Sequence, residues 1–379
     1  MTEGPGMTAE ARSAAYSTVS TSLALRSDRE LSALLDTAVP LGSGIGGRSA
    51  RMEIDGRPVF VKRVPLTGQE LRPEHARSTA NVFGLPDFCQ YGVGTIGGPG
   101  FGAWREAAVH TMTTNWVLAG QYRGFPLTYH WRVLPEEDPA PLPEDLADVE
   151  RAVAYWGGGP EVRRRIEGLR ESPASLVLFL EHLPQTVHVW LSEQLRAGDE
   201  AAGLALSLVE RELEAGVSFM NDRGLLHFDT HFQNILTDGR RLYFADYGLA
   251  VSSRFDLSPR EADFFDRHRT YDRAYALSYL VSWLIADLYG LKRVEREALI
   301  RAIADGERPP AGPPGVMALL VRHAPLAAVM TDFIAKVEKE DREAPYPAEE
   351  IRRIFERTAD RGRTRGCRSA AKSSATRRS

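Results

Sequence analysis

The sequence predicts an α+β fold, with antiparallel strands gathered in its first half and helices in its second. Three observations carry that expectation. Extended segments over 49–54 and 57–64 are joined by Asp55-Gly56, and strand-like runs follow at 125–134 and 176–183. From 202 onward apolar residues instead recur at three- and four-residue steps, in stretches at 202–222, 273–290, 293–304, 315–339 and 348–358. Between the first two of these lies GLLHFDTHFQNILTDGRRLYFADYGLA (224–250), where two short apolar runs flank Asp238-Gly239 and read as a tight two-residue hairpin.

Composition narrows the class. At 379 residues the chain has room for one to three domains, and 43% hydrophobic with 26% charged residues suits a globular protein with a full core. The net charge is −4, but residues 361–379 hold seven basic side chains and no acid, which leaves −11 for the remainder. A nucleic-acid-binding globule is therefore not expected. Cys89 and Cys367 lie far apart, which argues against a disulfide framework or a zinc cluster and for a reducing, cytoplasmic setting. No apolar leader core occupies the first 25 residues, and the apolar run at 277–291 contains Asp287, so no membrane segment is expected.

Taken in order, residues 1–26 are expected to be a disordered N-terminus, since the first 20 are small, polar and rich in Gly, Ser and Thr. A short helix follows at 27–35 with Ser27 as its cap. Gly42, Gly44 and Gly47 then form a G-x-G-x-x-G pattern. A dinucleotide fold would continue into a helix, whereas this chain continues into strands, a setting in which glycines let backbone N–H groups approach phosphate. Lys62 sits inside the third strand, flanked by Val61 and Val64. Arginine outnumbers lysine 42 to 5, so a lysine at that point stands out against the background.

The next helix, 102–118, carries Glu106 at the edge of an apolar stripe. The stretch 135–150, with seven acids and four prolines, reads as a solvated loop, and 149–169 as helical with the basic run Arg163-Arg164-Arg165. Together 135–172 is expected to be an insertion between two strands. Residues 252–266 are polar and read as an irregular loop. The nearly all-apolar stretch at 273–290 must be buried, and the basic tail 359–379 is expected to be disordered.

The residues that carry chemistry are concentrated at 227–248. Asp229 and Asn234 lie five apart, and a two-residue turn at Asp238-Gly239 would set Asn234 opposite Tyr243, with Asp246 about 10 Å further at ~3.3 Å per residue. An amide and a carboxylate at one end of a hairpin suit a hard, oxygen-loving cation such as magnesium, and Asp229 would face the same spot.

His227-Phe228-Asp229, then Asn234, then Asp246-Tyr247-Gly248 resembles the H-R-D-x-x-x-x-N and D-F-G motifs of kinase-like phosphotransferases. The resemblance implies a bilobal fold: a small antiparallel-sheet lobe over 27–183 and a larger, mainly helical lobe over 184–358. It implies ATP and Mg²⁺, with Gly42, Gly44, Gly47 and Lys62 at the phosphates and Asn234 and Asp246 at the metal. It also implies a hinge at Glu181 to Leu183 reading adenine, an acidic partner for Lys62 (Glu106, with Glu70 and Glu74 as rivals), and Asp272 tying down the catalytic loop. Asp229 would take the acceptor's proton. His231 is similar to the H-x-D-x-H-x-x-N loop of aminoglycoside and other small-molecule phosphotransferases, while Asp-Tyr-Gly and the strand lysine look more like protein kinases. Phe228 stands where those kinases carry Arg, and no Ala-Pro-Glu follows. The implied acceptor is a Ser/Thr hydroxyl of a protein or peptide, a natural-product precursor peptide included, or alternatively a small molecule. A silent pseudokinase is disfavoured by the intact Lys62, Asp229, Asn234 and Asp246.

Overall fold

A computed structural model describes residues 8–358 apart from 45, 93, 138 and 140; the tail expected to be disordered lies outside the described residues. The chain is mixed α/β. Helices α1 (Ala9–Ala24) and α2 (Asp28–Leu35) precede β1 (Val39–Gly44), β2 (Gly47–Ile54) and β3 (Arg57–Leu66). Helix α3 (Ala103–Leu118) leads to β4 (Thr128–Pro135), and α4 (Glu144–Ala147), α5 (Val149–Tyr155) and α6 (Pro160–Arg170) intervene before β5 (Ala174–Glu181). Next come β6 (Gln185–Thr186), α7 (Val187–Arg196), α8 (Asp199–Asp222), β7 (Leu225–Leu226), β8 (Ile235–Thr237), β9 (Leu242–Phe244) and β10 (Val251–Ser252). Helices α9 (Pro259–Arg267), α10 (Tyr271–Tyr289), α11 (Arg293–Ala304) and α12 (Pro314–Lys339) follow, and residues 348–358 are helical.

The five-stranded sheet runs β1-β2-β3-β5-β4, antiparallel throughout. Every residue of β5 is buried, which is why its centre, Leu176 to Leu180, reads as an unbroken apolar run and not as an alternation. Asp55 and Gly56 both adopt positive φ (50° and 74°), as the primed turn joining β2 to β3 requires. The helical part is built around α8, whose Leu206, Val209, Leu213, Val217 and Met220 share one buried stripe, and around α10, which is buried almost all round. Helix α12 is apolar over a length that would span a bilayer. Its Val316, Leu320, Ala324, Ala327 and Met330 are buried in the helical core.

The structure corrects the sequence reading in four places. First, residues 9–24 of the segment expected to be disordered form α1, capped by Thr8. Its stripe is only Arg12, Ala15, Val19 and Leu23, four buried positions spaced by three or four among Ser and Thr, and Val19 and Leu23 pack with Val59, Val61, Leu127 and Phe179. Second, β8 and β9 pair Ile235 with Phe244 and Thr237 with Leu242, so the loop is Asp238 to Arg241 and longer than two residues. Asp238 holds it by accepting from the Arg240 and Arg241 amides (2.9 and 3.0 Å). The slip sets Asn234 beside Ala245, whose N–H donates to the Asn234 carbonyl (3.0 Å), and not beside Tyr243. Third, the polar stretch after Ser252 contains α9, with Ser258 and Glu261 in a reciprocal capping box. Fourth, the acidic, proline-rich insertion is not merely solvated: Leu146, Val153, Trp156, Ile166 and Leu169 share a core with Phe83, Ile96 and Phe101.

Arg12 is the polar anchor of α1. Its guanidinium donates to both Glu181 carboxylate oxygens (2.6–3.2 Å), to Arg123 O (2.9 Å) and to Phe125 O (2.7 Å), with both ionic partners buried. Removing one partner of such a pair leaves an uncompensated buried charge, so Arg12→Ala is expected to destabilise by about 3–5 kcal/mol in chemical denaturation. Arg12→Met combined with Glu181→Leu should recover most of that loss.

Candidate active site

Strand β3 delivers Lys62 to the underside of the sheet, where its side chain is nine-tenths buried. Its Nζ donates to Glu106 Oε1 (2.7 Å) on α3 and to Asp246 Oδ1 (2.8 Å) beyond β9. The acidic partner is thus Glu106. Glu70 instead caps α3, accepting from Ala103 N (2.7 Å) and from Arg165 (3.1 Å), and no Glu74 contact to Lys62 occurs among the described residues. Burial alone would strip the charge from Lys62, but the Asp246 and Glu106 carboxylates outweigh it and hold its pKa above the ordinary lysine value. Asp246 responds in kind: burial pushes it up, and the Lys62 ammonium overrides that and pulls it down to about 2.

The loop carrying Asp229 is fixed by backbone constraints. Asp272, at the start of α10, accepts from His227 N (2.6 Å) and Phe228 N (2.8 Å). Phe228 has φ +64°, a costly conformation for a non-glycine residue, and its buried ring stacks between Tyr271 (4.6 Å) and Phe264 (5.6 Å). Asp246 is likewise left-handed, at φ +62°. His227 Nε2 lies 3.0 Å from Ala245 O while its Nδ1 receives the Asp229 N–H (3.3 Å), a pattern that fits the neutral Nε2–H tautomer.

Asp229 accepts from Asn234 Nδ2 (2.8 Å), and His231 Nε2 stands 3.6 Å away. Burial, with Asp246 adding repulsion, pushes the Asp229 carboxyl up to about 8. Burial lowers the His231 pKa, so that imidazole is neutral near pH 7. Because Asn234 spends its Nδ2 on Asp229, its Oδ1 is left without a partner among the described residues. An amide oxygen and an ionised carboxylate are the hard donors a magnesium ion takes. Among the described residues no cluster of three or more His, Cys, Asp or Glu is placed to hold a metal ion.

Two cavities meet at these residues. One, of about 500 Å³, is lined by Gly44, Gly47, Lys62, Glu181, Leu183 and Asp246, and so unites the glycine hairpin, the strand lysine and the segment 181–183 at the end of β5. Gly42 lies on the exposed β1 and does not line it. The other, of about 460 Å³, contains Asp229 and His231. Gly44, Gly46, Gln233, Asn234 and Asp246 line both.

Two of these were missed in the sequence. Gly46 falls between the pattern's glycines, yet a Cβ there would stand 2.9 Å from Lys62 Nζ. The run of four glycines in six residues was the available signal. Gln233 had none. Gly47 combines φ +114° with a position where a Cβ would collide with the Arg63 carbonyl.

Over 93 residues, 24% of its length, the chain is 30% identical to mitogen-activated protein kinase kinase kinase 1 of Arabidopsis thaliana, and equally to mitogen-activated protein kinase kinase kinase 3 of the same plant. That segment is 15% and 16% of those relatives, so the chain spans under a fifth of the curated proteins it matches. No family model matches the chain. The local similarity points to a kinase-like relationship.

Behind the loop, His268 is buried; its Nε2 lies 2.7 Å from Tyr91 OH and its Nδ1 faces the Phe264 carbonyl (2.6 Å). Burial lowers its pKa to about 4. Between pH 4 and 6.5 the unfolded chain binds a proton at this site that the folded chain refuses, so its stabilising contribution is lost as pH falls through that window. The raised carboxyls of Asp229 and Asp272 tilt stability the other way, so the measurement must be a difference. The stability gap between wild type and His268→Gln is expected to narrow by up to ~1.4 kcal/mol per pH unit between pH 6 and 5. A gap independent of pH would show that His268 titrates normally.

Proposed function

We propose that this protein is an ATP- and Mg²⁺-dependent phosphotransferase, with a small sheet lobe and a large helical lobe, moving the γ-phosphoryl group to an acceptor hydroxyl. The observation that carries the reading is the ion pair of Lys62 with both Glu106 and Asp246, set where a glycine-hairpin cavity meets the cavity of Asp229. Three segments far apart in sequence converge there on one buried cation, which plain packing has no reason to assemble.

In this reading the glycine hairpin and Lys62 hold the phosphates, and backbone groups of Glu181 to Leu183 meet the adenine. Asn234 Oδ1 and Asp246 would hold magnesium, which when bound neutralises charge on the phosphate oxygens. The acceptor oxygen forms its new bond to the γ-phosphorus as the bridging bond to ADP breaks, and Asp229 accepts the hydroxyl proton. The high pKa of Asp229 is set partly by Asp246, so cation binding at Asp246 removes part of that push. His231 borders Asp229 on the acceptor side and helps place the hydroxyl. The acceptor is a Ser/Thr hydroxyl of a peptide or protein, or the hydroxyl of a small molecule. The work is assigned to a cytoplasmic enzyme without a nucleic-acid or membrane partner.

Phosphate transfer is tested against peptide and small-molecule pools with Mg-ATP. Asp229→Asn is expected to lower turnover by at least about 10²-fold with ATP binding retained, in line with the usual share of a general base. Near-wild-type transfer by that variant would sink the assignment.

Positioning of α3 needs no added phosphate. Arg105 on α3 is buried against Glu261 of α9 (2.6 Å) and donates to Thr79 O (2.7 Å), while Phe228 leaves no guanidinium at the catalytic loop. Phosphatase treatment is accordingly expected to leave turnover unchanged, and Arg105→Met to reduce it. Activity abolished by phosphatase would overturn this reading of the ion pair.

A further inference from the structure

The cavity containing Asp229 has an unusual far wall. Residues 90–92 and 94–102 run past the Asp229 carboxylate and turn glycine backbone, at 92, 97, 98, 100 and 102, toward the space. A Cβ on Gly92 would stand 2.9 Å from Asp229 Oδ1, one on Gly98 3.4 Å from Leu249, and one on Gly100 3.6 Å from the Gly248 carbonyl. Gly92, Gly97, Gly98, Pro99, Gly100 and Gly102 line that cavity opposite His231 and Gln233.

This strap is pinned along its length. The Gln90 amide donates to Leu249 O, the Thr95 N–H to the Tyr155 hydroxyl (3.1 Å) and Trp156 Nε1 to Gly97 O (3.0 Å). The buried Arg165 donates to the Pro99 and Gly100 carbonyls (3.1 Å each) while its other end pairs with Glu70. Ile96 and Phe101 are buried in the core shared with α5 and α6. Three of the four side chains that make these hydrogen bonds (Tyr155, Trp156, Arg165) come from the 135–172 segment, which gives that insertion a task.

We propose that the strap and the inserted helices form the acceptor wall and select by size, admitting a compact, polar hydroxyl compound and excluding an extended polypeptide. This rests on the phosphotransferase reading and chooses between its two acceptor classes. A cavity of about 460 Å³ is of the size that takes a small molecule. An extended peptide needs an open trough on both sides of the reacting hydroxyl, and here one side is protein backbone held by hydrogen bonds. Asp145, His231 and Gln233 face the space with donors and acceptors, so its occupant is polar and not a hydrocarbon.

The test reads access to Asp229 without needing the natural acceptor. The full chain is treated with a water-soluble carbodiimide and either ethanolamine or a peptide amine too long for the cavity. Amide formation at Asp229 is quantified by mass spectrometry and normalised to the exposed Asp263. Ethanolamine is expected to label Asp229 on the order of tenfold faster than the peptide amine after normalisation, because the strap walls one side of a cavity of small-molecule size. A variant lacking residues 94–99 is expected to bring the two rates together. Equal rates in the wild type, or no labelling of Asp229 by either amine, would overturn the proposal. Equilibrium binding of Mg-ATP is measured in parallel: its absence would remove the phosphotransferase reading while leaving the size selection legible.

Discussion

The structure depends on one buried ammonium. Lys62 is removed from water on β3, and a charge so placed is tolerable only if opposite charge lies within hydrogen-bond reach. Glu106 and Asp246 both supply it, at 2.7 and 2.8 Å, and each brings its own element along. Helix α3 must therefore seat against the sheet, and the chain beyond β9 must rise to meet it. The seat is reinforced at the helix start, where Glu70 caps Ala103 N and Arg165 braces Glu70. Arg105, one residue before Glu106, is tied to Glu261. The position of α3 is fixed from three directions, so the ion pair at its centre is built and not adventitious.

Strain is placed where that arrangement converges. Phe228 and Asp246, two of the four described non-glycine residues at positive φ, flank the loop, and conformations of this kind persist only when their surroundings over-determine them. For Phe228 the determinants are the two Asp272 hydrogen bonds and the stacked rings of Phe264 and Tyr271. For Asp246 they are the Lys62 bond and the neighbouring Tyr247, fully buried with its hydroxyl on Phe244 O (2.6 Å). Phe228, at the place where the motif it resembles carries Arg, thus has a structural meaning. It anchors the loop through an aromatic core.

Much of this was legible in the sequence, because local patterns specify it. The Asp55-Gly56 turn, the apolar centre of β5, the α8 stripe and the spacing of Asp229, Asn234 and Asp246 each depend on neighbours within a few residues. What was not legible depended on distant partners. Helix α1 looked disordered because three small or aliphatic residues suffice once Arg12 finds Glu181, 169 positions away. Glu70 and Glu106 are both acids that follow Lys62 in sequence, and only the packed α3 shows that one caps its backbone from 33 residues away while the other reaches Lys62. The hairpin register failed because Asp238 turns its carboxylate onto two amides of a longer loop, an Asx-type interaction that the Asp-Gly pair disguises as a two-residue turn.

The insertion is the element least like a decoration. Its first residues hold the glycine hairpin, since Glu136 accepts from Arg48 (3.0 Å), from Arg63 (2.7 Å) and from Ser175. Its last helix holds α3 through Arg165 and Glu70, and its middle pins the strap beside Asp229. Glycine hairpin, helix α3 and glycine-rich strap are therefore braced by one stretch of chain. A loop added for surface docking would leave these contacts to others, and it would not bury Trp156 and Ile166 against the strap. The geometry is that of a site whose two cavities are held at fixed separation, with Asn234 and Asp246 on the wall they share. The insertion braces the elements on both sides of that wall.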